Sequence, residues 1–202
     1  MKKENSINTD KSKIKGLLNE VFEEIESRSL GNSEAGKTMS FYDLDAMTQG
    51  LSPGNLYVIG GRPAMGKTSF VLNIAKNIGQ IHNLPICFFS LETSKKMLSY
   101  RLLSMETGIE SGRLKTGRLT QEEWPILGEA IYFLSENPIY LIDKPSIQVS
   151  EIYQFCEEVK NTHKKDLGVI IIDFLQLMED KSLGKNISRE DEISKIMNDL
   201  KN

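Results

Sequence analysis

The segment Gly61-Arg62-Pro63-Ala64-Met65-Gly66-Lys67-Thr68 restricts what this chain can fold into more than any other stretch. It reads G-x-x-x-x-G-K-T. An apolar run, Leu56-Tyr57-Val58-Ile59, precedes it, and Phe70, Val71, Ile74, Ala75 and Ile78 recur at helical spacing after it. A strand, a glycine loop and a helix in that order turn the spacing into a phosphate-binding loop rather than an ordinary turn before a helix.

Polyphosphate oxygens need many donors at close range. Gly61 and Gly66 let backbone N–H groups curl around an anion with no Cβ in the way. The helix starting near Lys67 aims its positive end at the same place. Lys67 is therefore expected to set its ammonium on the β- and γ-phosphates of ATP, and Thr68 to offer its hydroxyl to Mg²⁺. The nucleotide-binding candidates are Gly61, Arg62, Pro63, Ala64, Met65, Gly66, Lys67 and Thr68, with ATP and Mg²⁺ as cofactors.

Two carboxylates complete the expected chemistry. Val169-Ile170-Ile171-Ile172-Asp173 reads as a buried strand whose last residue reaches the C-terminal edge of a parallel sheet, where ligands of such sheets bind. Asp173 is the candidate to hold Mg²⁺ through its water shell. Ile86-Cys87-Phe88-Phe89 is a second fully apolar run, and Glu92 lies just beyond it, placed to activate the attacking water. Asp143, at the end of Ile139-Tyr140-Leu141-Ile142-Asp143, competes for these roles but ranks lower, because Lys144-Pro145 after it reads as a turn.

In chain order, residues 1–11 read as a polar, disordered start. Ile14, Leu17, Leu18, Val21, Phe22 and Ile25 then lie on one face of an amphipathic helix. Segment 30–38 reads as a flexible tether. The apolar face must be covered by the same domain or by a neighbouring subunit; the residues leave both open. Phe41 to Met47 can form a short helix with Ser40 as N-cap. Strands at 56–59, 86–89, 139–143 and 169–173 alternate with helices after the P-loop, from Met97 to Leu103, over 121–135, over 147–161 and from Ser188 almost to Asn202, with 107–120 mixed and Trp124 read as packing. The class is α/β with a mostly parallel sheet. Residues 180–188 read as a polar loop, and Lys181, Lys185 and Arg189 around it are either solvated or a DNA-contacting set facing a ring's channel.

Composition narrows the remaining classes. The formal net charge of −3 carries no bulk basic signal, so nucleic-acid binding would have to be local or come from assembly. Cys87 and Cys156 read as buried free thiols of a reducing compartment. His82 and His163 read as surface or helix-end residues, with no metal-ligand spacing. The start lacks an apolar signal core and no run reaches membrane-spanning length, so no membrane partner is expected. The expected location is the cytoplasm or an organelle interior such as a plastid stroma.

Several motifs together resemble one family. Ser40-Phe41-Tyr42-Asp43-Leu44-Asp45, Gly50-Leu51-Ser52-Pro53-Gly54 and the P-loop are similar to the start of the ATPase domain of DnaB replicative helicases. Phe89-Ser90-Leu91-Glu92 resembles that family's catalytic-glutamate motif, and Ile171 to Met178 its Walker B segment. Ser188-Arg189-Glu190 and Glu192 to Ile196 resemble the helix that follows. Ser40 stands where the family often has Gly. The resemblance implies a RecA-like P-loop NTPase core over 38–202, preceded by 1–37, a segment holding a linker helix (13–28) that docks on the adjacent subunit. It implies a homohexamer on single-stranded DNA that couples ATP hydrolysis to unwinding, with primase and a helicase loader as possible partners. Lys67 and Glu92 become the catalytic pair, and Thr68 and Asp173 the metal pair. Other RecA-like ATPases, of recombinase or clock type, and a nucleotide-binding fragment without turnover are the alternatives. The family's N-terminal collar has no counterpart here, nor has its strand with a γ-phosphate-sensing Gln, its main DNA loops or its arginine finger. An incomplete domain with a gap beside the P-loop strand is therefore expected, unstable alone or closed by rearrangement. Weak hydrolysis is also expected, since such a finger is worth about 10³–10⁵ in rate.

Overall fold

A computed structural model of the chain describes residues 14–31, 35–180 and 187–201. Three strands, β1 (Ile86–Ser90), β2 (Ile139–Asp143) and β3 (Val169–Asp173), pair in parallel in the order β2-β1-β3. The helices are α1 (Ile14–Ser29), α2 (Tyr42–Thr48), α3 (Lys67–His82), α4 (Lys95–Thr107), α5 (Ser111–Thr116), α6 (Glu123–Ser135), α7 (Val149–His163) and α8 (Arg189–Lys201). A short 3-10 helix, Leu175–Leu177, follows β3. The α/β class expected from the sequence is the one observed.

β1 lies at the centre and every one of its residues is buried. Its side chains alternate between two helical layers, as the pleat requires. Ile86 and Phe88 pack with Leu72 and Ile78 of α3 and Leu98 and Leu102 of α4. Cys87 and Phe89 pack with Ile152, Cys156 and Val159 of α7 and Ile196 of α8. Both cysteines are free and buried, as expected. The neighbouring Cys156, together with burial, pushes the Cys87 thiol up.

The apolar run Leu56–Ile59 is not a strand, which corrects the expectation. Both edges of β1 are taken by β2 and β3, and no described segment pairs with the run or with the outer edge of β3. Without a ladder, an apolar run has nothing to hold it extended. Val58 is 70% exposed and Ile59 43%.

Other expectations need smaller corrections. The tether is fixed at its end, because Lys37 and Leu51 exchange both backbone hydrogen bonds, at 2.8 and 2.9 Å. Trp124 is 57% exposed rather than packed. The mixed stretch contains α5, whose Arg113 grips Glu123 of α6 through two bonds of 2.7 and 2.6 Å. Ser188 does cap α8, accepting from the Asp191 N–H at 3.1 Å. Of the apolar residues of α1, none is buried, so no described part of the chain covers that face.

Ser40 is not the cap of α2. The Asp45 carboxylate reaches back instead and accepts from the N–H groups of Met39 and Phe41 and the Thr38 hydroxyl. Those bonds outweigh burial and hold its carboxyl below the usual range. Ser40 sits at φ 59, in the left-handed region. A Cβ there costs about 1–2 kcal/mol, partly offset by the greater freedom a glycine loses on folding. Ser40→Gly keeps the Ser40 N–H bond to Thr38 Oγ1. It is expected to stabilise the fold by roughly 0.5–1 kcal/mol, a rise of about 2–4 °C in Tm by calorimetry at the upper figure.

Candidate nucleotide site

The P-loop leaves the unpaired run and turns into α3. Gly66 is the N-cap of α3 at φ 86, a conformation glycine tolerates, and it has no side chain with which to cap the helix. The first-turn N–H groups of α3 therefore face away from any side-chain acceptor in the cap, which suits an anion. Residues Gly61 to Gly66 are exposed, and Lys67 and Thr68 half-buried. Lys67 Nζ donates to the carbonyls of Gly61 at 2.9 Å and Arg62 at 3.0 Å. Its stem crosses close to Gly61, where a Cβ would lie 3.4 Å from Lys67 Cγ. To meet a phosphate, the ammonium exchanges these two carbonyls for anionic oxygens.

The other candidates meet at one end of the sheet. The register sets Ser90 level with Asp143 on one side and Asp173 on the other. Leu91 N–H donates to the Asp173 carbonyl at 2.8 Å, joining the Glu92 turn to the end of β3. Glu92 is exposed and Asp173 is buried, with 9% exposure. No ion pair among the described residues includes Asp173. The turn that carries Glu92 thus leaves β1 beside the end of β3, and packing of α3 against β1 and β3 ties the P-loop helix to the same sheet.

Asp143 is engaged elsewhere. Its Oδ2 accepts from the Lys95 N–H at 3.0 Å, and Lys95 Nζ lies 3.4 Å from Oδ1. The bond from the Lys95 N–H is the main cause holding its carboxyl below the usual range.

Lys181 and Lys185 lie outside the described residues. Arg189 does not stand free: its guanidinium donates to the carbonyls of Gln176 at 2.8 Å and Met178 at 2.7 Å and pairs with Glu192. Glu192 also accepts from the Asp180 N–H at 2.8 Å, and Lys195 pairs with Asp180. That N–H first, then Arg189, holds the Glu192 carboxyl below its usual range. At its other end α8 sends Lys201 Nζ to the Gly54 carbonyl at 2.6 Å. One helix therefore spans from the exit of β3 to the turn that leads into the P-loop. Sequence reasoning missed this clasp because its acceptors are mostly backbone groups, which no residue type announces.

The donor set fits MgATP. No cluster of three His, Cys, Asp or Glu side chains that could hold a metal occurs among the described residues. A hard cation held by one carboxylate, one hydroxyl and phosphate oxygens needs no such cluster. Thr68 and Asp173 are the groups available for it.

The profile of the DnaB-like helicase C-terminal domain matches residues 36–202. The replicative DNA helicase DnaB of Nostoc sp. is 46% identical over 180 residues, covering 89% of this chain and 20% of that protein. A solved ATPase domain superposes with a TM-score of 0.84 at 34% identity, over 94% of this chain and 66% of its own. A solved DnaB-like replicative helicase, described with its interactions with primase, superposes with a TM-score of 0.80 at 32% identity, over 98% of this chain and 45% of its own. The chain spans between 20% and 40% of the length of the first two curated relatives it matches.

Proposed function

The chain belongs to the DnaB-like helicase C-terminal domain family, and from that premise we propose that it binds and hydrolyses ATP, with Mg²⁺, as the motor part of a replicative DNA helicase. The observation that carries this reading is that Ser90, just before the Glu92 turn, stands level with Asp173 in a sheet against which the P-loop helix packs.

In this reading Gly61 to Thr68 wrap the triphosphate with backbone N–H groups and Lys67 binds its outer phosphates. Thr68, and Asp173 through water, would hold Mg²⁺, which would supply positive charge against the phosphates. Glu92 takes a proton from, or orients, the attacking water. Single-stranded DNA is the polymer that the motor moves along, with Lys181, Lys185 and Arg189 as the candidate contacts. Residues 38–202 form the ATPase domain, and 1–37 carry the linker helix.

The homohexamer is what the family implies, and α1 supports contact between copies. Its face of Leu17, Val21 and Phe22 is exposed, and α6 presents Trp124, Ile131, Tyr132 and Phe133. Apolar stripes on two helices of one chain are satisfied when α1 of one copy docks on the next. Primase and a helicase loader are the further partners. No described helix is long and apolar enough to cross a membrane, which accords with a cytoplasmic or plastid-stroma location. A second reading, nucleotide binding completed by a partner's strand, is favoured by the exposed Leu56–Ile59 run.

The test is single-turnover hydrolysis of MgATP with protein in excess, with and without single-stranded DNA. Glu92→Gln is expected to lower the rate about 10²-fold or more, the usual worth of a general base, while MgATP affinity stays unchanged. Undiminished turnover in that variant would remove Glu92 from the mechanism.

A further inference from the structure

The turn that carries Glu92 is fastened on both sides. On the β3 side the Leu91 N–H is held by the Asp173 carbonyl at 2.8 Å. On the β2 side the Lys95 N–H is held by the Asp143 carboxylate at 3.0 Å, with the Lys95 ammonium 3.4 Å from the second oxygen. Inside the turn the Thr93 N–H donates to Ser90 Oγ at 3.1 Å, and the Met97 N–H to Ser94 Oγ at 3.4 Å. The Glu92 side chain is exposed, and no hydrogen bond or ion pair among the described residues holds its carboxylate. Its place is therefore set by the backbone on either side of it.

We infer that Asp143 is a positioning residue for Glu92: by holding the Lys95 N–H from the neighbouring strand, it fixes the turn 90–95 and so the point from which Glu92 meets the attacking water. The inference rests on the reading of Glu92 as the water-activating group. Three features support it. Asp143 stands level with Ser90, where the turn begins. Its anionic oxygen sits at the N-terminus of α4, where orphan N–H groups and the helix dipole both favour a negative charge. The other fastening belongs to Asp173, so the carboxylate read as the metal ligand and the Glu92 turn are held in one frame. Without Asp143 the Lys95 N–H loses its acceptor, and the first turn of α4 is left to the Ser94 cap, whose bond from the Met97 N–H is 3.4 Å long. Glu92 then spends less time in reach of the water, and a misplacement of about 1 Å can cost up to 10²-fold in rate.

The experiment uses the full chain and three variants, Asp143→Ala, Asp143→Asn and Glu92→Gln. It measures single-turnover MgATP hydrolysis, binding of a fluorescent ATP analogue, and hydrogen exchange at 91–96 and at 61–72. Asp143→Ala is expected to slow hydrolysis about tenfold or more, an effect on geometry alone. Its nucleotide affinity stays unchanged, and exchange quickens at 91–96 and not at 61–72. Asp143→Asn keeps an oxygen that can accept the Lys95 N–H, so it is expected to recover most of the rate. The inference is overturned if Asp143→Ala hydrolyses ATP like the wild type while Glu92→Gln does not, or if exchange at 91–96 is unchanged. An Asp143→Asn as slow as Asp143→Ala also overturns it, since charge rather than the hydrogen bond would then matter. If Glu92→Gln itself keeps full turnover, the assignment of Glu92 is what fails, and the exchange at 91–96 alone decides whether Asp143 holds the turn.

Discussion

Lys67→Ala is expected to abolish measurable nucleotide binding. The ammonium is the one cation at the start of α3, and in the structure it is already bent over the loop, donating to the carbonyls of Gly61 and Arg62. Trading two neutral acceptors for two phosphate oxygens gains charge-assisted bonds, each worth about 1.5–3 kcal/mol. Losing even about 3 kcal/mol weakens binding roughly 10²-fold. The check is the rise in Tm with MgATP, because a ligand at about 100 times its Kd adds about 2.7 kcal/mol to stability. The wild type should show that rise and Lys67→Ala should not, while the two melt alike without nucleotide. Equal affinity in both proteins would refute the assignment of the P-loop.

Phe88→Ala is expected to be the most damaging core substitution. Phe88 sits in the middle of the central strand, fully buried, against α3 and α4. Truncating a buried Phe costs about 3–5 kcal/mol in lost transfer energy and cavity. A domain has only about 5–15 kcal/mol to lose, so this is a large share. Urea unfolding should show a strongly lowered midpoint with an unchanged slope. Tyr132→Ala, at a residue 71% exposed, should shift the midpoint little and serves as the comparison. A Phe88→Ala midpoint close to wild type would mean that β1 is not the centre of the core.

The comparison of β1 with Leu56–Ile59 shows how far the sequence could be read. Both are short, continuous, apolar runs, and nothing in their residues separates them. Ile86–Ser90 became a strand because β2 and β3 supplied ladders on both edges and helices on both faces. Leu56–Ile59 found no ladder among the described residues and stayed exposed. Hydrophobicity marks what wants to be buried; pairing is settled by residues far away in the chain. The P-loop, Glu92 and Asp173 could be proposed from the sequence because the chemistry expected of them demands particular residue types at fixed distances from a strand. The hold of Asp143 on Lys95 was not legible. Its partner is a backbone N–H 48 residues away, and any residue but proline offers one. Ser40 shows the intermediate case. Its departure from a usual glycine was visible in the sequence, and only the φ of 59 gave that departure a physical meaning.

The outer edge of β3 and the bare Leu56–Ile59 run also bear on how the protein keeps company in a crowded solution. An apolar segment and a strand edge that find no ladder among the described residues are each a template for pairing with an extended chain. Flanking charge offers little discouragement, because Leu56, Tyr57, Val58 and Ile59 are all uncharged and glycines follow them. An edge of that kind is open to a second, misfolded copy of the chain. Staying dispersed is then a matter of concentration as much as of fold.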